Sequence, residues 1–109
     1  MSVTIETPWG TAEGPVNVEF LSPDVFWVST GSHGGIGVKG ATRRRLSPQA
    51  KAEAISMNDA LWFEEDCGWA ICVHELPTLF PERHVEAAQP CLERWYPEYL
   101  AATSSSQNA

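Results

Sequence analysis

The hydrophobic pattern changes period near residue 47, and no other feature of the sequence constrains the fold as tightly. Up to Val38, apolar residues tend to alternate with polar ones, as in strands that bury one face. Val3, Ile5 and Thr7 alternate ahead of a Pro8-Trp9-Gly10 break, and Val16, Val18 and Phe20 alternate with Asn17, Glu19 and Leu21. Ser22-Pro23-Asp24 is turn chemistry: proline presets φ, and short polar side chains bond back to the local backbone. Val25 to Thr30 is rich in β-branched and aromatic residues and reads as a strand paired to the preceding one. After Gly31-Ser32-His33-Gly34-Gly35, Ile36-Gly37-Val38 supplies one more short strand. This half predicts an antiparallel meander of three or four strands.

The second half follows helical spacing. Ser47 before Pro48 is an N-cap followed by proline at the first helical position. The Ala-rich run from Gln49 to Met57 predicts a helix of about ten residues. Leu61-Trp62-Phe63 then leads into the acidic triplet Glu64-Glu65-Asp66. Trp69, Ala70, Val73 and Leu76 fall on one helical face, although Ile71-Cys72-Val73 reads equally as a buried strand. Pro81 opens a further helix carrying Val85, Ala88, Leu92 and Trp95, which Pro90 should kink or divide and Pro97 should end. The expected fold is α+β, a small antiparallel sheet from the N-terminal half packed against helices from the C-terminal half. It forms one domain over residues 1–102, followed by a fraying low-complexity tail at 103–109. The five tryptophans of so short a chain are most simply core, and any left exposed would mark an interface.

Charge narrows the function classes. Residues 1–52 carry five basic and four acidic side chains (net +1), whereas residues 53–109 carry two basic and ten acidic ones (net −8). The overall −7 is the wrong sign for gripping phosphate backbones, so direct nucleic-acid binding is not expected. The asymmetry suggests an acidic face turned toward something basic. No apolar run reaches membrane-spanning length, and the first residues have neither a positive region nor an apolar stretch of signal-peptide length. A cytoplasmic protein is expected.

Catalytic and metal chemistry find little to stand on. Cys67, Cys72 and His74, with His84 and Cys91 further on, lack the second ligand pair of a structural zinc site, so no metal is expected. An odd number of cysteines argues against a disulfide framework. Ser29, Ser32 and His33 are close in sequence, but neighbours at a strand end seldom form a nucleophile–base pair, and no Gly-x-Ser-x-Gly elbow is present. Adjacent Glu64 and Glu65 point differently into solvent, unlike a carboxylate pair with separated pKa values. No enzyme and no cofactor are expected. Gly31 to Gly35 lacks the Gly-x-x-x-x-Gly-Lys pattern of a phosphate loop, and its glycines are expected at positive φ in a tight turn under a packed aromatic. Arg43-Arg44-Arg45 reads as a solvated turn before a helix.

Two stretches, Trp27-Val28-Ser29-Thr30-Gly31-Ser32-His33-Gly34-Gly35 and Trp62-Phe63-Glu64-Glu65-Asp66-Cys67-Gly68-Trp69-Ala70, with the late Trp95-Tyr96-Pro97, carry a resemblance. They resemble a small domain family of unknown biochemical role found in phage, plasmid and bacterial proteins, over most of residues 8–100. The family implies no catalytic residues. In size and charge the free-standing domain is also similar to anti-CRISPR proteins directed at type I surveillance complexes. That second resemblance implies a monomeric inhibitor that mimics DNA and occupies the Lys/Arg-rich DNA channel of a CRISPR effector (Cascade) subunit. The expected contact residues are Glu64, Glu65, Asp66, Glu75, Glu82, Glu86 and Glu93; Glu82, Glu86 and Glu93 share a face if the last helix runs through Pro90. The alternative is a general interaction module of mobile elements that uses the loop Ser32, His33, Gly34 and Gly35.

Overall fold

A computed structural model of the chain describes residues 3–107, with side chains described as far as Thr103 at the C-terminal end. Five strands precede the first helix: β1 (Thr4–Thr7), β2 (Gly10–Glu13), β3 (Val18–Ser22), β4 (Val25–Ser29) and β5 (Gly34–Val38). The helices α1 (Gly40–Arg45) and α2 (Pro48–Glu53) follow, then the hairpin β6 (Ile55–Met57) and β7 (Ala60–Glu64). Three helices close the chain: α3 (Trp69–Glu75), α4 (Glu82–Trp95) and α5 (Pro97–Gln107). The architecture is α+β, as the change of period implied.

The sheets correct two expectations. The Pro8-Trp9-Gly10 break is the turn of a separate β1–β2 hairpin, held by the Thr7 hydroxyl, which donates to the Gly10 carbonyl (2.7 Å) and accepts from Trp9 N–H (3.1 Å). The main sheet has order β3-β4-β5-β7-β6, so the C-terminal half contributes two of its five strands. The helix expected over Gln49–Met57 therefore stops at Glu53, because Ile55, Ser56 and Met57 pair with Trp62, Leu61 and Ala60. Cross-strand pairing overrides the helix propensity of the alanines. Asn58 and Asp59 make that hairpin's two-residue turn with both φ values positive (53° and 60°), a conformation these residues tolerate better than most.

The helical expectations fare better. Ser47 caps α2 by accepting from Ala50 N–H (3.1 Å), with Pro48 at the first turn. Residues 69–75 are helix, which settles the helix-or-strand ambiguity there. Pro90 does not divide α4. Pro90 and Glu86 both lie on its exposed side, so water can serve the Glu86 carbonyl that loses its helical donor. Pro97 opens α5 rather than simply ending α4. Arg43, Arg44 and Arg45 form the last turn of α1, where cations complement the helix dipole, and not a turn before a helix. Thr103, expected to begin a frayed tail, is buried in α5 with its hydroxyl donating to the Tyr99 carbonyl; residues 108–109 of that tail lie outside the described residues.

Strand alternation divides the core in two. Val25, Ile36, Val38, Leu61 and Phe63 face the helices, and Ile71, Val73, Ala88 and Leu92 pack onto them. On the opposite face Phe26, Val28 and Trp62 pack with Ala12 of the β1–β2 hairpin. Gly35 and Gly37 lie between these aromatic rings. A Cβ on Gly35 would sit 2.2 Å from the Phe63 carbonyl oxygen and 2.6 Å from the Trp9 ring. Gly34 and Gly35 thus admit close packing without positive φ: the packed aromatic is as expected, whereas the positive-φ turn expected of Gly31, Gly34 and Gly35 is not adopted.

Candidate functional site

The seven candidate carboxylates separate into two classes. Glu64, at the end of β7, accepts from Cys67 N–H (3.1 Å), Gly68 N–H (3.4 Å) and the Cys67 thiol (2.9 Å). It serves the otherwise unpaired N–H groups ahead of α3, the usual need at a helix start. Glu75, at the end of α3, accepts from Ser47 N–H (2.7 Å), the Ser47 hydroxyl (3.0 Å) and the Tyr99 hydroxyl (2.7 Å). With its one proton committed to Glu75, Tyr99 accepts from His74 Nδ1 at 2.9 Å. Both residues clamp the fold and are only partly exposed, so less of their charge is free to face a partner than in the five fully exposed carboxylates. Glu65, Asp66, Glu82, Glu86 and Glu93 are exposed. The last three sit on the continuous α4 at spacings of four and seven, which puts them on one side of it. Arg83 and Arg94 are on the same helix, so its charge is mixed rather than uniformly acidic.

The motif loop is built around Thr30. Its hydroxyl donates to the His33 carbonyl (2.6 Å), lies 3.1 Å from the Trp9 carbonyl and accepts from His33 N–H (3.2 Å). Gly34 and Gly35 are buried, leaving Ser32 and His33 exposed at the tip. Ser29 donates to Asn17 Oδ1 (3.0 Å) and Ser32 to the Trp9 carbonyl (3.4 Å), so neither hydroxyl is directed at the His33 imidazole. The two motif stretches meet here: β5 pairs with β7, and Glu65 N–H donates to the Gly34 carbonyl (2.9 Å).

That junction borders a hollow which the sequence reading did not anticipate. Glu19, Trp27, Ile36 and Phe63 form one row across the helix-facing side of the sheet. The core takes in Ile36 and Phe63, but Trp27 remains partly exposed and Glu19 fully so. Trp27, Glu65, Trp69 and His84 line a concavity of about 310 Å³ at this uncovered edge. An adjoining one of about 220 Å³ shares Trp27 and Glu65 and adds Val16, Asn17, Glu19 and Ser29. Treating all tryptophans as core concealed it, and the register shift between Phe20 and Ser22, which sets Glu19 rather than Phe20 opposite Trp27, leaves no local mark in the sequence. Trp62 alone of the five is fully buried, while Trp95 is 57% exposed with the Arg94 guanidinium 5.0 Å from its ring centre.

The thiols are poorly suited to nucleophilic or metal-binding work. Burial raises the pKa of Cys72 well above its ordinary 9.0. Burial, then the neighbouring Glu64, raises Cys67 and Cys91. All three are therefore protonated at neutral pH, whereas the thiolate is the reactive and ligating form. Among the described residues no three His, Cys, Asp or Glu side chains are grouped to hold a metal ion. Likewise no helix there is long and apolar enough to cross a membrane.

No curated protein and no solved structure matches the chain. A family model does, over residues 2–109, in keeping with the resemblance to a small family of unknown role. The chain belongs to the family described as a domain of unknown function, DUF7007.

Proposed function

We propose that this domain is a non-enzymatic binding module that docks its exposed carboxylates on a lysine- and arginine-rich surface of a partner protein. The observation that carries the reading is the sorting of the acidic side chains. Glu64 and Glu75 are used up by the fold, whereas Glu65, Asp66, Glu82, Glu86 and Glu93 stand exposed. Among the described residues only Glu93 of these has a side-chain partner, an exposed hydrogen bond from Gln89 (3.3 Å), and exposed carboxylates steer association and set partner choice.

Glu82 and Glu86 are separated by about 6 Å of helix rise and Glu86 and Glu93 by about 10 Å, which lines three carboxylates along one side of α4 as a row of negative charge that could stand in for a phosphate backbone. The DNA channel of a type I CRISPR surveillance complex, suggested by the sequence resemblance, is the first partner to test. The module would block it by occupying its basic side chains. The alternative centred on Ser32–Gly35 has less to present, because only Ser32 and His33 reach the surface.

Affinity capture from cells carrying a type I system, at rising salt, tests the reading. The wild-type domain should retain a multi-subunit effector at low salt. Its Glu82→Lys/Glu86→Lys/Glu93→Lys variant should not, and His33→Ala should behave as wild type. An effector retained equally by the triple variant and at high salt would refute the acidic mechanism.

A further inference from the structure

We infer that the concavity lined by Trp27, Glu65, Trp69 and His84 receives an arginine side chain of the partner protein. The assignment rests on the reading of the domain as an acidic binding module and supplies that module with a specific pocket. Four segments build it: β4 gives Trp27, the residue after β7 gives Glu65, and the first turns of α3 and α4 give Trp69 and His84. The hollow exists because the row Glu19–Trp27–Ile36–Phe63 extends further than the helices that cover it.

The lining specifies the occupant. Two indoles and a carboxylate favour a cation, since indole faces are the best of the aromatic partners for positive charge. His84 Nδ1 is buried and has no hydrogen-bond partner among the described residues, while its ring packs edge-on against Trp69 with centres 6.2 Å apart. That nitrogen is closed off from solvent, so His84 serves the hollow as a wall, and Glu65 is its open polar group. The occupant should therefore bring positive charge, N–H donors for the Glu65 carboxylate and a surface that packs on the aromatic walls. A quaternary ammonium has no donors. A lysine ammonium has three on a compact, strongly hydrated head. A guanidinium has five in a rigid plane, is less hydrated, and stacks on aromatic faces. The adjoining hollow, with Glu19 opposite Trp27, gives the flanking residues of a basic segment a path across β3 and β4.

Titration of the full-length, 15N-labelled domain with Nα-acetyl-arginine methylamide, followed through the tryptophan indole N–H signals, tests the pocket. The Trp27 and Trp69 signals should move saturably. Affinity should fall by about tenfold or more with the uncharged citrulline analogue, and again with the exposed-site variant Glu65→Gln. The lysine analogue should bind more weakly than arginine. The untouched remainder of the spectrum establishes that Glu65→Gln is folded. Equal binding of arginine and citrulline, an unchanged affinity in Glu65→Gln, lysine binding as tightly as arginine, or shifts confined to Trp95 would each overturn the assignment. Should any of these occur while charge-dependent capture of the effector persists, the pocket is refuted and the module reading stands.

Discussion

Replacing Glu75 with alanine should destabilise the domain far more than its place in an acidic sequence suggests. Its carboxylate accepts three hydrogen bonds, two from Ser47 and one from Tyr99, and so ties the start of α2 and the body of α5 to the end of α3. Hydrogen bonds to charged groups contribute about 1.5–3 kcal/mol each. Glu75 is only partly buried, and water can reach some of the released donors, so the three do not add in full. Tyr99 is 4% exposed, which makes its hydroxyl the hardest to resatisfy. A loss of about 2–4 kcal/mol follows, or roughly 10–20 °C in Tm for a domain of this size. That leaves most domains folded, given typical stabilities of about 5–15 kcal/mol. Urea denaturation monitored by circular dichroism and tryptophan fluorescence measures it, with Glu86→Ala as the control expected within about 0.5 kcal/mol of wild type. In a double-mutant cycle Glu75→Ala and Tyr99→Phe should couple by about 1 kcal/mol or more. If Glu75→Ala unfolds like Glu86→Ala, or the cycle closes without coupling, the clamp is refuted.

Two further consequences concern packing and pH. Gly35→Ala forces a methyl group against a backbone carbonyl that cannot yield, and should cost about 3 kcal/mol, whereas the same change at Gly31, which has nothing within 4 Å, should be nearly silent in the same urea assay. Burial raises Cys72, Tyr96 and Tyr99 above their unfolded values of 9.0 and 10.0, so in alkaline solution the unfolded chain releases protons that the folded one holds. Stability from these groups should be complete below about pH 9 and decline as pH rises beyond it. Tyr99→Phe should flatten that decline, and a profile level from pH 8 to about 10.5 would contradict the assignment.

How much of this was readable in the chain depended on whether local pattern and tertiary pairing agreed. They agreed at Ser47-Pro48, where a cap and a proline start a helix, and in Val25–Ser29, whose β-branched and aromatic residues form a strand buried on both faces. They disagreed at Ile55–Met57, where an alanine-rich run favours helix but pairing with β7 wins; Asn58-Asp59 was the available turn signal. Strand β2, Gly-Thr-Ala-Glu, has one apolar residue and hence no period to read. For the site, sequence gave an abundance of carboxylates without their surroundings. Glu64 and Glu65 are neighbours, yet β7 turns one inward to Cys67 and Gly68 and the other out beside Trp27. The pocket brings together residues from 27 to 84, and such a juxtaposition leaves no local trace.

The most direct test of the central claim is the affinity of the domain for a purified type I surveillance complex, measured from about 50 to 500 mM salt. We expect wild-type affinity to fall by about tenfold or more across that range, because opposed exposed charges are screened over about 10 Å or less. The Glu82→Lys/Glu86→Lys/Glu93→Lys variant should bind weakly throughout while unfolding at the wild-type urea midpoint. Tight binding by both proteins, indifferent to salt, would contradict the claim.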